Sequence, residues 1–162
     1  MNFKIRKAEA SDTETIHHLI RQLAIYEKME EEMVATVEEL RRKLFEDRYA
    51  EVLIAEEQNR PVGFALYFYN FSTFLGKPGL YLEDLFVEPE YRGKGYGKAL
   101  LAALARIAKS KDCGRMEWSV LNWNAPSIAF YKSLGAFPMD EWTVYRLNQT
   151  EIENLAQYEC KK

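Results

Sequence analysis

Polar and apolar positions along the chain repeat with two different periods. Phe3 to Lys7 has the alternation of a short strand. Tyr49 to Glu56 and Pro61 to Phe71 are richer in β-branched and aromatic residues and flank the polar turn Glu57-Gln58-Asn59-Arg60, which predicts a hairpin. Leu80 to Val87, Met116 to Leu121 and Trp142 to Leu147 read as further strands, and Phe71 to Gly79 as a loop. Helical spacing appears at Ile16, Leu19, Ile20, Leu23 and Ala24, and again at Leu100, Ala103, Leu104, Ile107 and Ala108. Ser11-Asp12-Thr13-Glu14 and Thr36-Val37-Glu38-Glu39 have the spacing of capping boxes, the second opening a helix through Phe45. Ala125 to Leu134, ended by Gly135, and Glu151 to Tyr158 complete the helices. The order is β-α-α-β-β-β-α-β-α-β-α, an α/β layered domain. The early meander predicts antiparallel strands, and the strand-helix-strand unit from Leu80 to Leu121 predicts a parallel pair.

A chain of 162 residues can bury one core, so a single domain spanning 1–162 is expected. The net charge of −3, without clustered Lys and Arg, argues against nucleic acid as partner. No apolar run reaches the length of a membrane span, and the N-terminal MNFKIRKAEASD has no apolar core like that of a signal peptide. Cys113 and Cys160 lie far apart with no CxxC spacing, the usage of reduced thiols. These features set the expectation of a soluble, cytoplasmic protein with no membrane partner.

The chemistry concentrates in Y-L-E-D-L-F-V-E-P-E-Y-R-G-K-G-Y-G-K, Tyr81 to Lys98. A P-loop is excluded, because Gly97-Lys98 is followed by Ala99 and position 92 is Arg. A dinucleotide fingerprint is excluded too, since Gly93 and Gly95 fit but the third glycine, Gly97, is misplaced. What remains is Arg92, Gly93, Lys94, Gly95, Tyr96, Gly97 and Lys98 between a strand and a helix. Glycines there admit positive φ and close approach, and a helix start offers free amides to an anion. Taken alone, this is equally the pattern of a solvated glycine turn. Glu83-Asp84 inside the apolar strand has two readings as well, a general base with its partner or a solvated, ion-paired couple.

The stretch V-x-x-x-x-R-G-x-G-x-G followed by an amphipathic helix resembles the acetyl-CoA pyrophosphate loop of the GNAT N-acetyltransferase superfamily. N-W-N-A-P-S-I-A-F-Y-K-S-L-G-A, Asn122 to Ala136, is similar to that family's second signature. The resemblance implies a GNAT-like, mixed but mostly antiparallel central sheet with a splayed parallel pair, flanked by helices. It implies acetyl-CoA as cosubstrate, held by Arg92 to Lys98, by the backbone of Leu85, Phe86 and Val87, and by Asn124, Ala125, Pro126, Ser127 and Tyr131. Glu83 falls at the base position and Tyr131 at the position of a general acid. A bulge in the strand, as in the family, would break its alternation near Glu83.

Within the superfamily the chain is most similar to the diamine and thialysine acetyltransferases, through Leu23 to Glu31, Val62 to Phe68, Tyr81 to Val87 and Trp123 to Tyr131. That likeness places Tyr26, Glu27, Glu83, Asp84, Glu117, Trp118 and Ser119 around a small cationic amine, and it implies a homodimer. Ser72-Thr73-Phe74 departs from the acidic residue and tryptophan of polyamine-specific members and is closer to the thialysine type. Other small amines, a protein amine, or a non-catalytic acyl-CoA sensor stay open. His17 and His18 adjoin with no third ligand at sensible spacing, so no metal is expected.

Overall fold

The computed structural model describes residues 2–161. Its chain divides into two compact units, one ending at Leu121 and the other beginning at Asn122. The first holds a five-stranded sheet in the order β1 (Phe3–Lys7), β2 (Glu51–Glu57), β3 (Arg60–Ser72), β4 (Lys77–Val87) and β5 (Arg115–Trp118). The first four strands pair antiparallel, and β4 pairs parallel with β5. The mixed, mostly antiparallel sheet expected from the sequence is therefore present.

Cross-strand partners share a face, so the register assigns the two sides of the sheet. Val52, Ile54, Phe64, Leu66 and Phe86 lie on one side and build a core with Ile16, Leu19 and Leu23 of α1 (Thr13–Tyr26). Leu44, just beyond α2 (Val37–Arg41), closes that core. Leu53, Ala55, Ala65, Tyr67 and Leu82 pair along the opposite side. The stripe of α3 (Tyr96–Ser110), with Leu100 and Leu104 buried, packs on the sheet through β3 and β4.

Three local expectations change. Helix α1 starts at Thr13 after a tight turn over Ala10–Asp12. The Asp12 carboxylate holds that turn, accepting the Glu9 N–H at 2.7 Å and a forked pair from Arg6 at 2.8 Å each, and makes no side-chain cap bond to α1 itself. A charged acceptor held by arginine is a stronger anchor than a free hydroxyl. The Thr36/Glu39 box forms as expected, but the helix after Arg41 widens into a π-turn over Arg42–Glu46, with Asp47 N–H donating to Arg42 C=O. The 71–79 loop is shorter than expected, because β3 runs to Ser72 and β4 begins at Lys77.

The unit beginning at Asn122 contains α4 (Ala125–Ser133) and α5 (Gln149–Leu155). The strand expected over 142–147 is not formed. Its sequence is strand-like, but a strand exists only with a ladder partner, and no described residue supplies one.

Candidate active site

The site begins with an irregularity in β4. Leu66 pairs with Asp84 and Tyr67 with Leu82, so Glu83 has no opposite residue and forms a β-bulge. The bulge reverses the phase of the strand. Simple alternation would put Leu82, Asp84 and Phe86 on one face; instead Leu82 lies with Tyr67, while Asp84 and Phe86 lie with Leu66 and Phe64 on the α1 side. Glu83 is exposed and Asp84 is half-buried.

The sheet opens at the same point. Pairing between β4 and β5 runs from Gly79 and Arg115 to Leu82 and Trp118 and stops, while β4 continues to Val87. Glu88 N–H donates to Val62 C=O, and antiparallel alternation then turns the Leu85 and Val87 amides away from β3. The Phe86 amide points into the ladder with β3, so of these three residues only Leu85 and Val87 present N–H groups on the open side.

Helix α1 ends against this opening. Glu27 caps it, and the charges of Glu27, Glu83 and Asp84 interact. Burial, then the Glu83 and Glu27 charges, push the Asp84 carboxyl up to about 7 from an ordinary 3.8. Glu27 is also raised, first by burial and then by Glu83. Clustered carboxylates favour a bound positive charge or a retained proton.

The Arg92 side chain turns back onto the protein. Its Nε donates to Val87 C=O at 2.8 Å, and its guanidinium carbon sits 4.9 Å from the Tyr26 ring centre and 5.3 Å from that of Phe86. It ties the end of α1 to the end of β4. Lys94 Nζ pairs with Glu57 at 2.8 Å, and the Tyr96 hydroxyl donates to the same carboxylate. The Tyr96 ring stacks on Phe3 with centres 4.0 Å apart. Tyr96 is buried, so its contribution to the loop is its backbone N–H.

Gly93 and Gly95 adopt φ of +80° and +85°, and Gly95 caps α3. Gly97 lies inside the first turn of that helix, where no positive φ demands glycine. A Cβ on Gly97 would meet no atom within 4 Å outside its own turn of helix. Glycine weakens a helix relative to alanine by up to about 1 kcal/mol, so neither backbone nor packing accounts for it here. An anion seated against the free amides of the helix start does, and the loop therefore fits a pyrophosphate.

Of the remaining residues, Glu117 lies in β5 within 3.4 Å of Asn70 Nδ2, which donates to it. Trp118 ends β5, and Ser119 Oγ is 3.1 Å from the Tyr81 hydroxyl. Ser72 is buried, accepts the Leu75 N–H at 3.2 Å and closes the turn between β3 and β4, while Phe74 is fully exposed. In the second unit Asn124 is buried and caps α4, its Oδ1 accepting the Ser127 N–H at 3.4 Å. Ala125 and Pro126 form the first turn, and Tyr131 lies two turns from Asn124 on the same face.

A family model described as "Acetyltransferase (GNAT) family" matches residues 14–136. The chain belongs to the GNAT acetyltransferase family. Among its GNAT relatives, a thialysine N-epsilon-acetyltransferase from Bos taurus is 36% identical, with 94% of this chain and 96% of that protein covered. An L-ornithine N5-acetyltransferase from Arabidopsis thaliana is 33% identical over 93% of this chain and 86% of its own length. Among solved structures, an integron cassette protein from the mobile metagenome of V. cholerae superimposes with a TM-score of 0.82 at 28% identity, covering 98% and 99% of the two chains. This GNAT protein is an N-acetyltransferase. The bulge expected near Glu83 from the family resemblance is present; what the sequence missed in the site is the anchoring contact of the Arg92 side chain and the burial of Asp84. The Glu-Asp pair within an apolar run was the available sign of that burial.

Proposed function

We propose that the protein, as a single acetyltransferase domain, transfers acetyl from acetyl-CoA to the primary amine of a small, cationic substrate of the diamine or diamino-acid class. The carboxylate cluster of Glu27, Glu83 and Asp84 at the β4 bulge carries this reading. Several acids around one locus suit an alkylammonium, and Tyr26 adds an aromatic wall at the same place. The relatives named for thialysine and ornithine act on amines of this kind.

Acetyl-CoA supplies the acetyl group as a thioester. The Gly93 to Lys98 loop suits its pyrophosphate, and the outward amides of Leu85 and Val87 suit hydrogen bonds to the pantetheine or to the carbonyl oxygen as charge develops. An alkylammonium has a pKa near 10 and must lose a proton before it attacks. Exposed Glu83 takes that proton, directly or through water, while Asp84 and Glu27 hold the positive charge close by. The Tyr131 hydroxyl donates a proton to the departing thiolate. Glu117, Trp118 and Ser119 line the acceptor side, and Asn124 to Ser127 contribute to cofactor binding.

The test is turnover of acetyl-CoA with a panel containing thialysine, ornithine, lysine, a short diamine, spermidine and spermine. Short diamino acids and diamines are expected to lead. Acetylation confined to peptide or protein amines would overturn the acceptor reading, and binding of acetyl-CoA without turnover of any amine would reveal a sensor.

A further inference from the structure

The face that carries Asp84 continues toward the other end of β4. Strand β3 has no bulge of its own, so Leu66, Phe68 and Asn70 follow one another on that face, Phe68 opposite Tyr81 and Asn70 opposite Gly79. The parallel pairing with β5 brings Glu117 beside Tyr81 and Arg115 beside Gly79. Gly79 makes the arrangement possible. A Cβ there would stand 2.3 Å from Asn70 Oδ1 and 3.1 Å from Arg115 Cγ, so both side chains lie across a strand position that glycine leaves open.

The polar groups gathered over Gly79 do not satisfy one another. Arg115 Nη2 donates to Phe71 C=O at 3.2 Å, while Nε sits 3.1 Å from Glu117 Oε1 but out of line for a hydrogen bond. Nη1 has no hydrogen-bond or ion-pair partner among the described residues, and the side chain is 37% exposed. Lys77, further along the same face, is already paired with Asp112. Glu117 accepts one long bond, from Asn70 Nδ2 at 3.4 Å. A guanidinium edge beside a carboxylate matches a zwitterion, with a carboxylate on the fork and an ammonium on Glu117. The spacing fits as well. The stretch of β4 from Gly79 to Glu83 covers about 13 Å. A hydrogen bond of about 3 Å at each end leaves about 7 Å between the two heads of a ligand lying along the strand. That is the reach of an extended ornithine or lysine skeleton.

Resting on the acceptor reading above, we infer that the substrate is an α,ω-diamino acid rather than a diamine, and that Arg115 binds its α-carboxylate. The ω-amine meets Glu83, while the amino-acid head lies at the Gly79 end of β4 with its α-ammonium on Glu117. Asn70 and Gly79 hold the Arg115–Glu117 pair in place. A diamine offers nothing to the guanidinium and sets a second ammonium beside it, so Arg115 selects for the acid by attraction and against the diamine by like charge.

Amidation of the substrate tests this, because it removes the carboxylate charge and leaves both amines. Wild type and Arg115→Gln are assayed with lysine, lysine amide and cadaverine at saturating acetyl-CoA. Amidation should cost the wild type about tenfold to hundredfold in kcat/KM, the range for a charged hydrogen bond, mostly through KM. Arg115→Gln should turn over lysine and its amide alike, and cadaverine at least as well as the wild type does, which shows its fold and chemistry intact. An equal amidation penalty in both proteins, or a wild type that prefers cadaverine to lysine, overturns the inference while the small-amine reading stands. The wild-type penalty is read without any variant, so a wild type indifferent to amidation overturns it however Arg115→Gln behaves. A wild type that acetylates none of the three overturns the acceptor reading and this inference with it.

Discussion

Asp84 is the residue whose environment makes the sharpest demand on the fold. Its carboxyl titrates near 7 when folded against 3.8 ordinarily. Between those values the folded state keeps a proton that the unfolded chain has lost, so stability falls as pH rises from about 4 to about 7 and stays reduced above it. The shift corresponds to at most about 4 kcal/mol, less the share that solvent screens at a half-buried side chain. Asp84→Asn removes the charge. The variant should therefore resist urea better than the wild type at pH 8, with the gap closing toward pH 4, while its kcat/KM for a cationic amine falls. Parallel stability curves would mean that the carboxylate is not held at this cost. Tyr131→Phe addresses the other end of the reaction: loss of a general acid should lower kcat by about 10²–10⁴ with little change in the KM for acetyl-CoA. Steady-state kinetics at saturating amine reads it, and an unchanged kcat would leave Tyr131 a packing or cofactor contact. At this scale the sequence exposed the acids as residue types out of place in a strand. Periodicity could not show the burial of Asp84, because that burial follows from the bulge at Glu83, which leaves no mark in hydrophobic periodicity and was expected only through the family resemblance.

The glycine loop and its helix are the element most fully legible in advance. Spacing excluded two other phosphate motifs, and the stripe of α3 was plain in Leu100, Leu104 and Ala108, all buried. The loop's side chains were less legible: Lys94 and Tyr96 turn to Glu57, whose distance in sequence hides the contact. Gly97 offers a cleaner test of the loop than Gly95. A side chain at Gly95 would meet positive φ, so its effect on ligand would mix with strain in the fold. Gly97→Ala should leave the melting temperature of the free protein unchanged or slightly raised, since the added methyl meets open space and alanine favours helix. The same methyl would stand where a pyrophosphate approaches, so CoA affinity by calorimetry should fall about tenfold, equivalent to about 1.4 kcal/mol. Unchanged affinity would remove the phosphate from the start of α3. Ser72 shows the converse failure of spacing. Its position matched a substrate-facing one, but it is buried and its Oγ accepts the Leu75 N–H inside the turn between β3 and β4.

Across the whole molecule, the strand expected over 142–147 had its composition right and its outcome wrong, because a single sequence does not say which edge completes a ladder. The same limit applies to charge. A net charge of −3 is too small to steer anything by itself, but the fold gathers Glu27, Glu83 and Asp84 from positions up to 57 residues apart (84 − 27) into one interacting locus. Such a concentration raises the local density of cations, and salt screens it over a Debye length of roughly 10 Å at 0.1 M. The kcat/KM for the amine should therefore fall as ionic strength rises, and more steeply for a substrate with two positive charges than for one with a single charge. A diamine and a monoamine of equal chain length, assayed from low to high salt at saturating acetyl-CoA, supply the comparison. The logarithmic slope for the diamine should be close to twice that for the monoamine, since each charge meets the same field. Glu27→Gln, which removes one charge without touching the bulge, should flatten both slopes. If the two amines respond alike, or if the slopes survive Glu27→Gln unchanged, the acidic locus does not select the acceptor by charge, and recognition must lie in contacts along the carbon chain.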